Sequence, residues 1–183
     1  MEDLLKQGSL KLHWVETHMP VLQEIRKNFI KEQPLAGLKI GMALHTEAKT
    51  GMLAITLADA GANIRLASCN PLSTDDSVAQ ALRDEYGLDV YAKKWETQEE
   101  YYDNLNTVLN MGPDFIIDDG ADLITMLHTT RKEMLPNVKG TRVRHTYTLA
   151  TPPPARPAMC RTTATRTTLI PSRAVLLMPT VPI

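Results

Sequence analysis

The last 43 residues of this 183-residue chain contain no Asp, Glu, Lys or Gly. They hold six Arg, ten Thr and seven Pro, which gives them a net charge of +6. Residues 1–140 hold ten Lys and four Arg against all 21 acidic residues, a net charge of −7. The total of −1 therefore averages two unlike segments. We predict a domain over residues 1–140 and a divergent tail over residues 141–183.

Cysteines, aromatic residues and long apolar runs are also scarce. Cys69 and Cys160 are too few and too far apart for a disulfide framework or a zinc site, so we interpret both as free thiols and predict no metal site. No segment reaches the roughly 20 apolar residues that cross a bilayer, and the charged start lacks a signal peptide's apolar segment. We therefore predict a cytoplasmic protein with no membrane partner.

Strand-like and helix-like segments alternate through residues 38–119. A helix with Leu22, Ile25 and Phe29 on one face is predicted over residues 16–32, ending before Pro34. Four strand-and-helix alternations predict an α/β fold, a Rossmann-like parallel sheet with flanking helices. The tail has too few periodic apolar positions to be assigned structure, and we predict that it is irregular or disordered. Strands are predicted over 38–45, 63–69, 88–94 and 114–119, and helices over 50–62, 75–87 and 97–112.

Polar residues cluster in three turns that follow predicted strands, at residues 45–50, 69–76 and 118–122. Ligands of parallel sheets bind outside the carboxyl ends of the strands, so a site is expected there. His45 stands out because an imidazole gains and loses protons near neutral pH. The alternative interpretation is that the polar residues of the first two turns only cap the following helices.

The third turn, "DFIIDDGADL", places three carboxylates around Gly120. Like charges this close destabilise one another unless a ligand or cation offsets them. A helix cap accounts for one of the three. The chain contains neither G-x-G-x-x-G nor G-x-x-x-x-G-K-[ST], so no residue is predicted to bind a dinucleotide or a nucleoside triphosphate.

Three stretches closely resemble one enzyme family in sequence and in order. They are "HWVETHMPVLQEIRKNF", "ALHTEAKTGMLAITLADAGANIRLASCNPLSTDDSVAQAL" and "DDGADLITMLH". They resemble the substrate-binding domain of S-adenosyl-L-homocysteine hydrolase (adenosylhomocysteinase) over about residues 5–140.

The resemblance implies an NAD-dependent reaction in the intact enzyme. In the family, NAD oxidises the ribose 3′-hydroxyl, homocysteine then leaves from C5′, water adds, and the ketone is reduced again. S-adenosylhomocysteine is thereby converted reversibly to adenosine and homocysteine. The family's enzymes are homotetramers, and no nucleic acid takes part.

The resemblance also implies roles for individual residues. Asp119 would bind the ribose and assist proton transfer, and His45 would lie near C5′ as the second catalytic residue. Thr50 and its neighbours would hold the base. The remaining residues predicted to bind or support the substrate are Leu44, Glu47, Lys49, Asn70, Ser73 and Thr74.

Lys49 departs from the family's commoner "HMTxET" or "HMTxQT" form. Adenine's amino group needs an acceptor, whereas the carbonyl of hypoxanthine needs a donor, which Lys49 could supply. The form "HTEAKT" also resembles archaeal and some bacterial relatives, so S-inosyl-L-homocysteine is a second candidate substrate. The alternative is that Lys49 pairs with Glu47 and contacts no base.

The tail does not continue the family pattern. The "SEETTTG" and "VNDxxTK" stretches, which carry a second Glu motif, a catalytic Lys and an Asp-Asn pair, are missing. Codons for motifs of this kind can encode "MCRTTATRT" when read out of frame, so we interpret residues 141–183 as a frameshifted translation. The alternative is a basic, Pro-rich arm that binds nucleic acid or an acidic partner.

The missing motifs predict that this chain is inactive by itself, because the family's NAD-binding domain is also absent from it. The first hypothesis is therefore that the chain is a fragment of an adenosylhomocysteinase-type enzyme. The second is a truncated, non-catalytic binding or regulatory module that pairs with a full-length subunit.

Overall fold

The structure, a computed structural model, describes residues 2–143 as helices and strands that alternate along the chain. Short 3-10 turns cover Pro71–Ser73 and Lys132–Asn137. The helices of this range are α1 (Glu2–His18), α2 (Pro20–Glu32), α3 (Ala48–Asp59), α4 (Asp76–Asp84), α5 (Gln98–Leu109) and α6 (Asp122–Thr129). The strands are β1 (Lys39–Leu44), β2 (Asn63–Ser68), β3 (Asp89–Tyr91), β4 (Phe115–Asp118) and β5 (Gly140–Val143).

The five strands form one parallel sheet in the order β3-β2-β1-β4-β5. The chain first builds the sheet outward from β1 to β3 and then returns to place β4 on the other side of β1. This reversal makes the carboxyl ends of β1 and β4 a topological switch point, where ligands of such sheets bind. The predicted α/β fold with a parallel sheet and flanking helices is confirmed.

The sheet is buried on both faces. Met42 and Ala43 are consecutive in β1 and both fully buried, yet they belong to opposite apolar clusters. One cluster is covered by helices α1, α3 and α4, and the other by α5 and α6. Burial on both faces explains why β1 and β4 are short apolar runs that were recognisable in the sequence.

Local capping fixes where several elements begin. The Asp75 carboxylate accepts hydrogen bonds from the backbone N–H groups of Ser77 and Val78 and starts α4. Thr97 and Glu100 form a reciprocal capping box at the start of α5. Each of these caps fixes the residue at which a helix begins after the preceding strand.

The prediction of one helix over residues 16–32 was wrong at its start. The structure has two helices that meet at Met19, and Pro20 begins the second. Proline disfavours helical geometry in the preceding residue but fits the first helical position well. Helix α1 itself was not predicted. It packs so closely on α4 that a side chain at Gly8 would meet the Ser77 carbonyl oxygen at 1.9 Å.

Strand β5 also lies outside the predicted elements. It begins at Gly140 and pairs in parallel with β4, so the sheet continues three residues past the predicted boundary. The prediction of an irregular or disordered tail otherwise concerns residues 144–183, which lie outside the described residues. None of the helices within residues 2–143 is long and apolar enough to span a membrane.

Candidate active site at the carboxyl edge of the sheet

Three turns meet at the carboxyl ends of β1, β2 and β4. His45 follows β1, Ser73 lies in the turn after β2, and Asp119 follows β4. Strands β1 and β4 are direct neighbours, with Ala43 paired to Asp118. His45 and Asp119 are the first residues after these two strands. They therefore come together at the switch point, although more than 70 positions separate them in the chain.

His45 is held between a hydroxyl and a carboxylate. Its Nε2 lies 3.2 Å from Oδ2 of Asp119, and its Nδ1 lies 2.5 Å from Oγ of Ser73. The Asp119 side chain is 7% exposed and that of His45 is 42% exposed. The imidazole thus faces solvent from above a nearly buried carboxylate.

The hydrogen-bond directions restrict the tautomer of His45. Ser73 Oγ donates to the Asn70 carbonyl oxygen at 3.0 Å, so a lone pair of that hydroxyl faces the imidazole. Nδ1 is then the donor to Ser73, and Nε2 faces the carboxylate of Asp119. A single proton shared by Nε2 and Oδ2 satisfies this contact. The pair can therefore accept or deliver a proton at the solvent-facing edge of the sheet.

The turn after β2 is rigidly tied to the rest of the edge. Asn70 Oδ1 accepts from the Leu72 N–H, and Thr74 Oγ1 donates to Ser68 Oγ at 2.8 Å. The backbone of Asp75 donates to the carbonyl of Thr46 at 2.9 Å, which joins this turn to the one after β1. Asn70 and Thr74 therefore hold Ser73 in place against His45.

The three carboxylates of "DDGAD" have three different environments. Asp118 is fully buried and accepts hydrogen bonds from the N–H groups of Ala121 and Ile124. Asp122 accepts from the Tyr101 hydroxyl at 2.9 Å. Asp118 and Asp122 thus have protein donors of their own, and Asp119 is the carboxylate that faces His45.

Burial, more than mutual repulsion, governs the ionisation of the two structural carboxylates. It raises the pKa of Asp118 to about 7 and also raises the pKa of Asp122. Burial likewise raises the pKa of Tyr101, which therefore remains a hydrogen-bond donor to Asp122. The negative charge of this turn at neutral pH is consequently smaller than three carboxylates imply.

Residues Glu47, Lys49 and Thr50 lie at the start of α3, beside this pair. Glu47 and Lys49 are exposed, whereas Thr50 is 6% exposed. Glu47 and Lys49 line an open cavity of about 360 Å³ together with Leu10 and Trp14 of α1. Among the ion pairs of residues 2–143, none joins Lys49 to Glu47.

Leu44 differs from the other predicted substrate-binding residues. Its side chain is 3% exposed and packs in the apolar core, and its carbonyl accepts a hydrogen bond from the Cys69 N–H. Any contact between Leu44 and a substrate would have to be made by the small accessible part of this residue. Its role remains a prediction.

Two further residues at this edge, Cys69 and Thr46, were not predicted as site residues. Cys69 is buried and forms no disulfide within residues 2–143, and ligating atoms of His45, Cys69 and Asp119 lie within 4.8 Å of one another. These three groups could hold a metal ion, and the expectation of no metal site stays a prediction. Thr46 is fully buried, and its Oγ1 has no hydrogen-bond partner among the described residues. Only the position of both residues at strand ends could have indicated them.

Comparison with known proteins shows which family this chain matches. The sequence profile described as S-adenosyl-L-homocysteine hydrolase matches residues 3–151. The chain belongs to the S-adenosyl-L-homocysteine hydrolase family. The profile match begins in α1 and continues 11 residues past Gly140, so it covers the whole described sheet.

Individual members of the family carry two different names. The adenosylhomocysteinase of Thermoplasma volcanium is 54% identical over 134 residues, which cover 73% of this chain and 33% of the relative. The S-inosyl-L-homocysteine hydrolase of Methanocaldococcus jannaschii is also 54% identical, over 138 residues covering 75% of this chain and 33% of the relative. The S-inosyl-L-homocysteine hydrolase of Methanococcus maripaludis is 54% identical over 137 residues. The chain thus spans about a third of the length of these relatives.

Proposed function

We propose that this chain is the nucleoside-binding part of a hydrolase that cleaves S-adenosyl-L-homocysteine to adenosine and homocysteine. The observation that carries the proposal is the His45–Asp119 pair at the switch point of the sheet. Both residues stand in stretches that resemble the family, and the match to relatives named adenosylhomocysteinase supports the assignment.

The proposed roles follow from the exposure of the two side chains. Asp119 is nearly buried and ordered by His45, so it suits a fixed contact with a ribose hydroxyl. His45 is half-exposed, so its Nε2 edge can reach C5′, where the thiolate leaves and water enters. The proton needed by the leaving sulfur, and the proton released by the entering water, can both be carried by this pair.

S-inosyl-L-homocysteine is a second candidate substrate, and one observation favours it. Lys49 forms no ion pair within residues 2–143, so its ammonium group can donate to the carbonyl of hypoxanthine. Thr50 and Glu47, on the same helix start, would complete the contacts with the base. The relatives named S-inosyl-L-homocysteine hydrolase are consistent with this second candidate.

We infer no NAD site among residues 2–143. The turn after β1 reads "HTEAKTG" and lacks the closely spaced glycines that let a backbone approach a pyrophosphate. We therefore assign no NAD contact to this chain and expect it to release no homocysteine by itself. We also propose a cytoplasmic setting and, for the intact enzyme, the family's homotetramer.

Two measurements on the purified chain test the proposal. In ¹H–¹⁵N spectra, S-adenosyl-L-homocysteine should shift the signals that follow β1, β2 and β4, and Asp119→Asn should abolish those shifts. Glu24→Gln, a change on an exposed part of α2, should preserve them. Saturating shifts confined to other surfaces, or shifts unchanged in Asp119→Asn, would contradict the proposed site.

The second measurement addresses activity. Homocysteine release should be undetectable with and without added NAD. Release that depends on NAD would show that the chain is a complete catalyst. Stable co-purification with a full-length homologue, without nucleoside binding, would instead favour a regulatory module.

A further inference from the structure

A second cavity, of about 560 Å³, opens between the end of β3 and helices α4 and α5. It shares no lining residue with the turns after β1 and β4, which carry His45 and Asp119. Residues of the edge strand β3 and the segment that follows it form one wall, and α5 forms another. The proposed hydrolase function makes no use of this cavity.

Glu96 is the chemically unusual residue of this cavity. It is 5% exposed, yet only one of its two carboxylate oxygens has a hydrogen-bond partner within residues 2–143. Oε2 accepts from the side-chain amide of Asn104 at 2.6 Å, whereas the buried Oε1 has no partner among the described residues. A buried carboxylate oxygen without a donor is costly, and either protonation of the carboxyl group or a donor from a ligand offsets that cost.

The remaining charges of the cavity favour a cationic ligand. Besides Glu96, its lining contains the carboxylates of Asp76, Glu100 and Asp103. The two cationic lining residues are already engaged: Arg83 donates to the Val90 carbonyl at 3.1 Å, and Lys93 lies 3.8 Å from Glu100. Four carboxylates against two cations leave a net negative lining.

The arrangement fits an organic cation better than a metal ion. Within residues 2–143, only His45, Cys69 and Asp119 bring three potential ligand atoms close enough together to hold a metal. The carboxylates of the second cavity are therefore too dispersed to chelate one ion. Leu4, Val90 and Ala92 add an apolar surface, which suits a hydrocarbon chain.

We propose that this cavity binds a small aliphatic ammonium compound whose N–H group donates to Oε1 of Glu96. Its hydrocarbon part lies against Leu4 and Val90, and a second charge, where present, faces Asp103 at the exposed side. The carboxylates supply the attraction, and Glu96 fixes the position of one nitrogen because it is the buried member.

Calorimetric titration of the full chain with 1,4-diaminobutane tests this inference, with butane-1,4-diol as the uncharged probe of equal length. The diamine should bind saturably at one site, and the diol should not bind. Glu96→Gln should weaken diamine binding at least about tenfold, because it removes the buried charge. Asp103→Asn should weaken it about threefold, as expected for an exposed charge.

Glu99→Gln is the matched control, since Glu99 is an exposed residue of the same helix that does not line the cavity. It should leave the affinity within about twofold of the wild type. Should Glu96→Gln fail to fold, the contrast between Asp103→Asn and Glu99→Gln decides the question. Absence of diamine binding, equal binding of the diol, or equal effects at positions 103 and 99 would overturn the proposal.

Discussion

The Nε2 atom of His45 lies 3.2 Å from Oδ2 of Asp119, across the junction of β1 and β4. The parallel pairing of β1 and β4 sets the relative position of the two residues, so the contact does not depend on the sequence around either one. The contact joins a solvent-facing imidazole to a nearly buried carboxylate. This combination can exchange a proton with a bound substrate while one partner stays fixed.

Ser73 should control the tautomer of His45. Its hydroxyl donates to the Asn70 carbonyl and therefore accepts from Nδ1 of the imidazole. In the wild type at pH 8, ¹⁵N spectra of the ring should show Nδ1 protonated, and Ser73→Ala should increase the Nε2-protonated form. Ser9→Ala, a hydroxyl deletion on α1, is the control. An unprotonated Nδ1 in the wild type would contradict the assignment.

Glu96 should make stability depend on pH. Burial raises its pKa from 4.5 to about 7, so the folded state binds more protons than the unfolded state between these values. The free energy of unfolding therefore falls as pH rises from about 4.5 to about 7. Glu96→Gln cannot ionise and should gain roughly 1–2 kcal/mol relative to the wild type between pH 4 and pH 8.

Urea unfolding at both pH values measures this difference directly. Glu99→Gln, at an exposed position in the first turn of α5, should shift stability by less than about 0.5 kcal/mol at either pH. A difference between Glu96→Gln and wild type that is the same at pH 4 and pH 8 would show that Glu96 does not titrate in this window.

Ala121 carries backbone strain that glycine would relieve. It has φ = 65°, in the left-handed region, where a β-carbon costs roughly 1–2 kcal/mol. After the entropy cost of glycine in the unfolded chain, Ala121→Gly should stabilise the protein by about 0.5–1 kcal/mol. Gly112→Ala, at φ = 67° with open space around it, is the reciprocal change and should destabilise by a similar amount. Thermal unfolding of the two variants should move in opposite directions.

Lys49 should discriminate between the two candidate bases. If its ammonium group donates to hypoxanthine, Lys49→Met should weaken inosine binding about tenfold and change adenosine binding by less than about threefold. Lys27→Met, on an exposed part of α2, should affect neither. Equal effects of Lys49→Met on both nucleosides would assign Lys49 a general role instead of one in base choice.

Much of the fold could be predicted because the strands are buried on both faces. Strands β1 and β4 are short apolar runs, β2 buries Ile64, Leu66 and Ala67, and each of the three is followed by a polar turn. Helix α1 was missed because its apolar residues do not keep to one face: Leu12 and Val15 are buried, whereas Leu10 and Trp14 are exposed. Strand β5 was missed because it is short and largely exposed, so no apolar pattern marks it.

The candidate site could be predicted only in part, for a related reason. The rule that ligands bind at strand ends indicated His45 and Asp119, and the family resemblance supplied their roles. The partner of Asp122 could not be inferred, because Tyr101 of α5 reaches it only in three dimensions. The backbone donors to Asp118 lie three and six residues further along the chain, which agrees with the predicted helix cap by one of the three carboxylates. No sequence pattern indicated that Glu96 is buried, because its burial depends on packing between α5 and the sheet edge.

Calorimetric titration with S-adenosyl-L-homocysteine, using the wild type, Asp119→Asn and Glu24→Gln, is the decisive measurement for the His45–Asp119 site. The His45–Asp119 site predicts saturable one-site binding by the wild type and by Glu24→Gln, and at least about tenfold weaker binding by Asp119→Asn. Absence of saturable binding by the wild type, or equal affinity in all three proteins, would contradict it.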